Sequence, residues 1–254
     1  MPPMRIFKTL FIPVLLLWLW HALSASGMVS PYLLPGPGRV LESALNMASS
    51  GVLVEHLAAS FKRIGMGFSF SVVLGISVAG LLHRFRLLDE LFTGTLSFLR
   101  MTPPLALTPL IILWLGIEDA TQIAIIMLAS FFPIYLNTRA GLSRLDPLYR
   151  ELAASLHISG PRFVFAFLAP AATPSIITGL RLSFGYSWRA LIAAELIAAS
   201  SGLGYLIMDA EQMQRADEVI VGIVVIGIIG WMLDAGFVRV VSTLLGRRFP
   251  EVKD

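Results

Sequence analysis

Long apolar stretches, separated by short charged segments, run along almost the whole chain. Its 254 residues are 56% hydrophobic and 14% charged, whereas an average soluble domain is about 25% charged. A helix needs about 20 mostly apolar residues to cross a hydrocarbon core of about 30 Å, so this length accommodates roughly five to seven spans with short connections. The sequence therefore predicts an all-α integral membrane protein.

The first apolar stretch, from Phe7 to about Ser26, has two interpretations. Its basic start and the small residues at its end also describe a cleavable signal peptide. The run reaches nearly full spanning length and carries Trp18 and Trp20, which favours a retained anchor. Residues 1–54 are therefore predicted to form an N-terminal transmembrane anchor and an extracytoplasmic loop.

Residues 55–245 are predicted to hold five further spans, and residues 246–254 a cytoplasmic tail. An amphipathic segment before them, from Val40 to Ser60, is too polar to span and is predicted to be a surface helix. An approach helix to about Arg100 should precede the third span, because three prolines follow it. The predicted spans are Ile64 to Leu82, Leu105 to Leu115, Ile123 to near Arg139, Ser175 to Ser200 and Val219 to Val241.

Small residues recur every fourth position along one face of the second span, at Ser71, Gly75 and Ala79. Such a stripe lets another helix approach closely in a membrane. It predicts a helix-packing surface and nothing more.

Lysine and arginine are distributed unevenly between the two sides of the predicted spans. If the N-terminus is cytoplasmic, the inner segments hold most of the basic residues, and the outer segments hold acids such as Glu118 and Asp119. The positive-inside rule then predicts both termini in the cytoplasm. Lys62 and Arg63 run against this rule, and snorkelling at the outer face is the expected explanation.

The longest inner loop, residues 141–174, has helix signals of its own. Asp146 and Pro147 provide an N-cap and a first-turn proline, and the helix should carry an apolar stripe of Leu148, Leu152 and Leu156. A stop at Ser159, Gly160 and Pro161 precedes a second amphipathic piece, Arg162 to Leu168, predicted to end before Pro170. An amphipathic helix lying on the membrane surface is an alternative for the first helix.

The loop resembles the EAA loop of ABC importer permeases. The resemblance rests on Glu151, Leu152, Ala153, His157 and the Ala169-Pro170 pair, followed by Pro174. In that family the loop forms a coupling helix that docks into the ATPase subunit, so the resemblance implies a coupling role for Glu151, Leu152, Ala153, His157, Gly160 and Pro170. His157 stands where the family has glycine, which usually provides a left-handed C-terminal cap. Histidine is among the residues enriched at positive φ.

Three other strings resemble the aliphatic sulfonate, taurine and nitrate branch of these permeases: Leu99 to Leu110, Phe132 to Thr138 and Ala194 to Asp209. The resemblance implies a type I ABC importer permease in a bacterial plasma (inner) membrane. It also implies as partners a second permease copy, two ATPase subunits and an extracytoplasmic substrate-binding protein. ATP and Mg²⁺ would then be bound by the ATPase.

The chain lacks the residues that several other functions require. No Gly-x-x-x-x-Gly-Lys-[Ser/Thr] string is present to cradle a nucleotide, so ATP hydrolysis is expected in a separate subunit. There is no cysteine and no histidine pair at metal-ligand spacing. Neither catalytic nor metal residues, nor any cofactor of its own, are therefore predicted. The basic residues form short clusters and no stripe, which speaks against nucleic-acid binding.

Ionisable residues within apolar stretches are candidates for the transport pathway. The candidates are Glu195, Arg189, Ser200 and Ser201, with a small organic anion such as a sulfonate as the expected solute. For Glu195 a buried hydrogen-bonded strut is an equal alternative, and for Asp234 a strut is preferred. A secondary transporter or a channel is the main alternative function, and an intramembrane enzyme is disfavoured because no histidine lies deep in a span.

Overall fold

The computed structural model describes residues 3–245, with side chains described from residue 11 to residue 243. Within these residues every regular element is helical, which confirms the all-α prediction. The elements are α1 (Pro3–Ala25), α2 (Pro37–Ser49), α3 (Val52–Arg84), α4 (Arg86–Met101), a 3₁₀ turn (Pro104–Leu107), α5 (Thr108–Leu115), α6 (Asp119–Ser143), α7 (Pro147–Ser155), α8 (Gly160–Phe163), a π-helical turn (Val164–Leu168), α9 (Ala169–Ala198), α10 (Leu203–Gln212) and α11 (Ala216–Leu245). The predicted tail at 246–254 lies outside the described residues.

Four helical stretches in the described part of the chain are long and apolar enough to cross a membrane. They are α3, α6, the stretch Gly160–Gln212 that contains α9, and α11. These stretches coincide with the second, fourth, fifth and sixth predicted spans. In α1, the part with described side chains forms only a shorter apolar helix, Phe11–Ala25, so the predicted number of six spans is not confirmed.

The third predicted span is broken rather than straight. α4 and α5 meet at an angle of 87° across Thr102 and the prolines. At one end Asp89 of α4 pairs with Arg139 near the end of α6 (2.8 Å). At the other end the hydroxyl of Thr121, at the start of α6, donates to the carbonyl of Gly116 (2.6 Å). The bent pair therefore follows α6 from one end to the other, which makes it a fifth candidate span.

The central packing surface joins α3 to α6 through the predicted stripe of small residues. A Cβ on Gly75 would lie 2.8 Å from Ile134 Cγ2, inside van der Waals contact. The hydroxyl of Ser71 donates to the carbonyl of Met127 (2.8 Å), and Ala79 is fully buried. The stripe is confirmed as the surface that lets these two helices approach closely.

The polar segment from Val40 to Ser60 is not one surface helix, as predicted, but parts of two helices. α2 ends at Ser49, Gly51 turns the chain with φ +85°, and α3 begins at Val52. The start of α3 is polar because it contributes side chains to a buried network: Ser60 is fully buried, and His56 accepts a hydrogen bond from the amide of Gly202.

The predicted helix stop before Pro170 is also wrong. The helix continues from α8 through the π-helical turn into α9, with Pro170 and Pro174 inside it. A proline lacks an amide donor and its ring meets the carbonyl four residues earlier, which normally breaks an α-helix. For Pro170 that carbonyl belongs to Ala166, which lies within the π-helical turn. The wider turn accommodates the ring without ending the helix.

Candidate coupling and transport sites

The N-terminus of α7 is capped as the sequence predicts. The carboxylate of Asp146 accepts a hydrogen bond from the amide of Leu148 (2.9 Å), and Pro147 occupies the first helical position. Both features satisfy or remove amide donors that a helix N-terminus leaves without partners. A nine-residue helix can therefore start sharply in the connection between α6 and the α8–α9 helix.

The C-terminus of α7 ends in a Schellman motif centred on His157. His157 has φ +55°, in the left-handed region where the related loops have glycine. The amide of Ile158 donates to the carbonyl of Ala153 (2.8 Å), and the amide of His157 to that of Ala154 (3.0 Å). Histidine thus adopts the conformation that the position requires, and Gly160, with φ +60°, turns the chain again into α8.

α7 buries one side and exposes the rest. Ala153 is only 2% exposed, whereas Glu151, His157, Gly160 and Pro170 lie at the surface. The exposed residues include the four large apolar or aromatic side chains of the helix region: Leu148, Tyr149, Leu152 and Leu156. This apolar surface has no cover within the described part of the chain, which suits a helix that contacts a partner or a membrane surface.

A second cluster lies at the opposite end of the spans and joins α3, α6, α9 and the loop before α10. We call it the Glu195 cluster, and its members are Ser60, Arg63, Asp119, Glu195, Ser201 and Gly204. The Glu195 carboxylate accepts hydrogen bonds from Ser60 Oγ (2.8 Å), Arg63 Nη1 (2.9 Å) and the amide of Gly204 (2.9 Å). Glu195 is 1% exposed and Arg63 is 3% exposed, so the ion pair is buried.

Arg63 makes the connections that hold this cluster together. Its Nε donates to Asp119 Oδ1 (2.7 Å), and its guanidinium also donates to the carbonyl and the hydroxyl of Ser201. Snorkelling is therefore the wrong explanation for Arg63, because its charge is turned inward. Arg63 is not among the predicted site residues, although its misfit to the positive-inside rule was a signal of an unusual environment.

Two glycines of the loop give the Glu195 carboxylate its space. A Cβ on Gly202 would lie 2.2 Å from Glu195 Oε1, and one on Gly204 would lie 2.6 Å from Glu195 Cβ. Gly202 also has φ +110°, which side chains rarely tolerate. The Ser-Gly-Leu-Gly string thus forms a wall around a buried carboxylate, and Ser200, beside it, remains exposed.

The other ionisable residues of α9 lie on a different face. Arg181 pairs with Asp234 of α11 at 3.2 Å, as expected for a strut at Asp234. Arg189 is exposed, and its guanidinium lies over the ring of Tyr186 at 5.4 Å. Arg189 and Glu195 are therefore not part of one site. Among the described residues, no group of three or more His, Cys, Asp or Glu side chains is arranged to hold a metal ion.

Several membrane-spanning helices, a capped helix projecting between two of them and buried charges inside the bundle define a membrane transport component. The chain belongs to the family of binding-protein-dependent transport system inner membrane components, whose model matches residues 71–249. Membership of this family makes it a transport subunit and not an enzyme.

Curated relatives share most of the chain. A putative aliphatic sulfonates transport permease protein, SsuC, of Bacillus subtilis is 36% identical over 94% of this chain and 86% of its own length. The taurine transport system permease protein TauC of Escherichia coli is 35% identical over 87% of this chain and 82% of its own. The nitrate import permease protein NrtB of Synechocystis is 32% identical over 79% and 76%, respectively.

Proposed function

We propose that this chain is the permease subunit of an ATP-driven importer and forms the path through the membrane for a small organic anion. The observation that carries the proposal is α7, a capped helix with an exposed apolar surface that lies between two spanning stretches. A partner that pushes on such a helix moves the spans on both sides of it. Membership of the transport family supports this proposal.

The two helices that α7 connects, α6 and α9, are packed against each other, which suits the transmission of force. Leu142 of α6, Leu145 of the connection, Leu168 of the π-helical turn and Ala172 of α9 form one buried apolar cluster. Close-packed interiors transmit displacement because they compress little. Closure of an ATPase dimer against α7 would therefore move α6 and α9 together and change the side on which the path is open.

The proposed orientation has both termini in the cytoplasm of a bacterial inner membrane. It follows from the excess of basic residues on that side. α7 then faces the cytoplasm, where an ATPase can reach it, and the Glu195 cluster lies near the outer surface. In this orientation the outer loops carry acidic residues such as Glu118 and Asp119.

The partners follow from the family. Its name specifies a binding protein, which we propose delivers the solute to the outer face. Two ATPase subunits, which bind ATP and Mg²⁺, and a second copy of this chain complete the assembly. This chain needs no cofactor of its own in the proposed mechanism.

An aliphatic sulfonate is the solute that we propose. Relatives are named for sulfonates, taurine and nitrate, which share a small oxyanion group. Of the four predicted pathway residues, Arg189 suits an anion best, because it is exposed within α9. Glu195 and Ser201 are engaged in the buried cluster and suit the strut alternative, while Ser200 remains a pathway candidate.

Reversal of the charge at Glu151 tests the coupling role. In a complex reconstituted with its ATPase and binding protein, we expect Glu151→Lys to reduce transport by about tenfold or more, because a like charge or lost contact at a docking surface costs roughly 1.4 kcal/mol or more. Basal ATPase activity should persist. Glu211→Lys is the matched control, since it makes the same charge change at an exposed position of α10.

If the complex with Glu151→Lys transported solute at the wild-type rate, the coupling role of α7 would be contradicted. Solute movement in proteoliposomes that contain this chain alone, without ATP, would instead identify a secondary transporter or a channel. A stoichiometric complex from which the ATPase subunits dissociate only in the Glu151→Lys variant, while they still hydrolyse ATP, would support the proposal.

A further inference from the structure

A groove runs along the face of α9 that carries Arg181 and Arg189, and α11 forms its other wall. It encloses about 500 Å³, which lies within the range of roughly 300–1,000 Å³ for small-molecule sites. From Thr178 to Arg189 it extends about 16 Å along the helix axis. Its lining combines polar groups with apolar side chains such as Leu182 and Phe237.

The charges in this groove do not cancel. Asp234 accepts hydrogen bonds from Nε and Nη2 of Arg181 at 3.2 and 3.3 Å, so these two side chains neutralise each other. Arg189 has no carboxylate within ion-pair distance among the described residues, and it rests on the ring of Tyr186. The groove therefore carries one uncompensated positive charge.

Arg189 lies at a depth in the membrane where a charged side chain has a large free-energy cost, and such residues usually have a function. Arg189 lies about 14 Å along α9 from the helix end at Ala198, which places it deep within a span. A charged side chain at such a depth faces a protein interior or a water-filled cavity, and not lipid. Gly185 lies beside it: a Cβ there would come to 3.4 Å from Arg189 Nη2.

The chemistry of the two side chains fits an oxyanion. The planar guanidinium of Arg189 presents several donors to a group with two or three oxygens. Tyr186 is 50% exposed and offers a hydroxyl donor beside it. The apolar side chains of the groove suit the short carbon chain of a sulfonate.

We propose that Arg189 and Tyr186 form an anion-binding site in the membrane-spanning part of the chain, which holds the head group of a small organosulfonate during its passage. This site deepens the proposed function and rests on it for the role in transport. Binding of the anion itself depends only on the groove, and it can be tested without ATP or partner subunits.

Cysteine labelling tests the site directly, because the chain contains no cysteine of its own. Leu182→Cys places one thiol in the groove and keeps both proposed binding residues. The full chain, in membrane fragments accessible from both sides, is treated with an anionic thiosulfonate reagent that carries a sulfonate and with a cationic one that carries trimethylammonium. After correction for their reactivity with a free thiol, we expect the anionic reagent to react at least about fivefold faster.

Three comparisons make the result specific. Adding Arg189→Gln to Leu182→Cys should remove the anion preference, whereas Arg189→Lys should retain it. Methanesulfonate should slow the labelling of Leu182→Cys but not of the variant with Arg189→Gln. Trp231→Cys, at a 73% exposed position of α11 outside the groove, should show no protection by methanesulfonate.

The proposal is overturned if neither reagent labels Leu182→Cys, since the groove would then be closed to water. It is also overturned if the anionic reagent still reacts faster after Arg189→Gln. The same holds if Arg189→Gln alters labelling only because it separates this chain from a second copy of itself. If labelling is anion-selective but the Glu151→Lys complex transports at the wild-type rate, the anion site is supported and the coupling role is contradicted. If labelling shows no anion selectivity but Glu151→Lys abolishes transport, the importer is supported and the anion site is rejected.

Discussion

Arg63 and Lys62 are neighbours that both donate hydrogen bonds to Asp119, but only Arg63 is buried. The Arg63 side chain is 3% exposed and that of Lys62 is 58% exposed. Arg63→Met should lower the free energy of unfolding by about 3–5 kcal/mol, because Glu195 would remain buried without its partner. Lys62→Met should cost about 0–1 kcal/mol, as for other exposed ion pairs. Heating detergent extracts and measuring the fraction that remains folded gives both values.

The double variant Arg63→Met/Glu195→Met separates loss of the ion pair from loss of packing. Removing both charges eliminates the uncompensated carboxylate, so the double variant should be more stable than Arg63→Met alone. Equal losses of stability in Lys62→Met and Arg63→Met would argue against a buried ion pair.

Local signals were sufficient to predict the N-terminal cap of α7, the family resemblance pointed to the C-terminal cap at His157, and long-range pairing was not predictable. Asp146 and Pro147 act on backbone groups within a few residues of themselves, so the sequence around them contains the needed information. The partner of Arg63 lies 132 residues further along the chain. The residues near Arg63 and Glu195 do not specify that these two side chains form a pair. The only indication was that Arg63, a basic residue, lies on the side predicted to be outer.

At the scale of whole helices, Gly75 offers a sharp test of the contact between α3 and α6. Gly75→Ala should destabilise the chain by about 1–3 kcal/mol, because its methyl group would overlap Ile134 in a close-packed contact. Gly80→Ala, on the same helix, is the matched control: nothing lies within 4 Å of a Cβ there. The control should be neutral or slightly stabilising, since alanine favours helix by about 1 kcal/mol over glycine. Thermal unfolding midpoints of the two variants should therefore shift in opposite directions or by clearly different amounts, and similar shifts would refute the close contact.

Helix boundaries were predicted well where turn residues act alone and poorly where tertiary structure intervenes. The start of α7 and the break after α4 follow from proline and aspartate. Pro170 suggested another stop, but a π-helical turn accommodates it, and nothing in the composition of Val164–Leu168 announces that turn. The polar start of α3 suggested a surface helix because burial of its polar residues depends on partners elsewhere in the chain.

The orientation of the whole molecule can be measured with single cysteines in this cysteine-free chain. Ser155→Cys lies at the exposed end of α7, and Met213→Cys lies in the exposed turn between α10 and α11. In intact cells a membrane-impermeant maleimide should label Met213→Cys alone, and it should label Ser155→Cys only after the cells are opened. The wild-type chain, with no thiol, is the blank. Labelling of Ser155→Cys in intact cells would reverse the proposed orientation.

Fold class was predictable from hydropathy because the bilayer permits few structures other than helices to cross it. The number of spans was less predictable: the bent pair α4–α5 is only a candidate crossing, and the described apolar helix Phe11–Ala25 of α1 is too short to count as one. The sequence predicted Arg189 as a pathway residue, because it is charged within an apolar stretch, but it did not predict the groove. Its shape arises from the packing of α9 against α11, which the sequence does not describe.

The separation of Arg63 from Glu195 along the chain also has a consequence in time. A ribosome adds about 5–20 residues per second, so Arg63 is synthesised about 7 to 26 s before the carboxylate that will bury it. During that interval the guanidinium of Arg63 lacks the buried carboxylate with which it finally pairs. Asp119, only 56 residues further on, emerges first and can act as an interim partner. The order in which the three residues appear thus lets the charge on Arg63 be matched in two stages, as each helix is added.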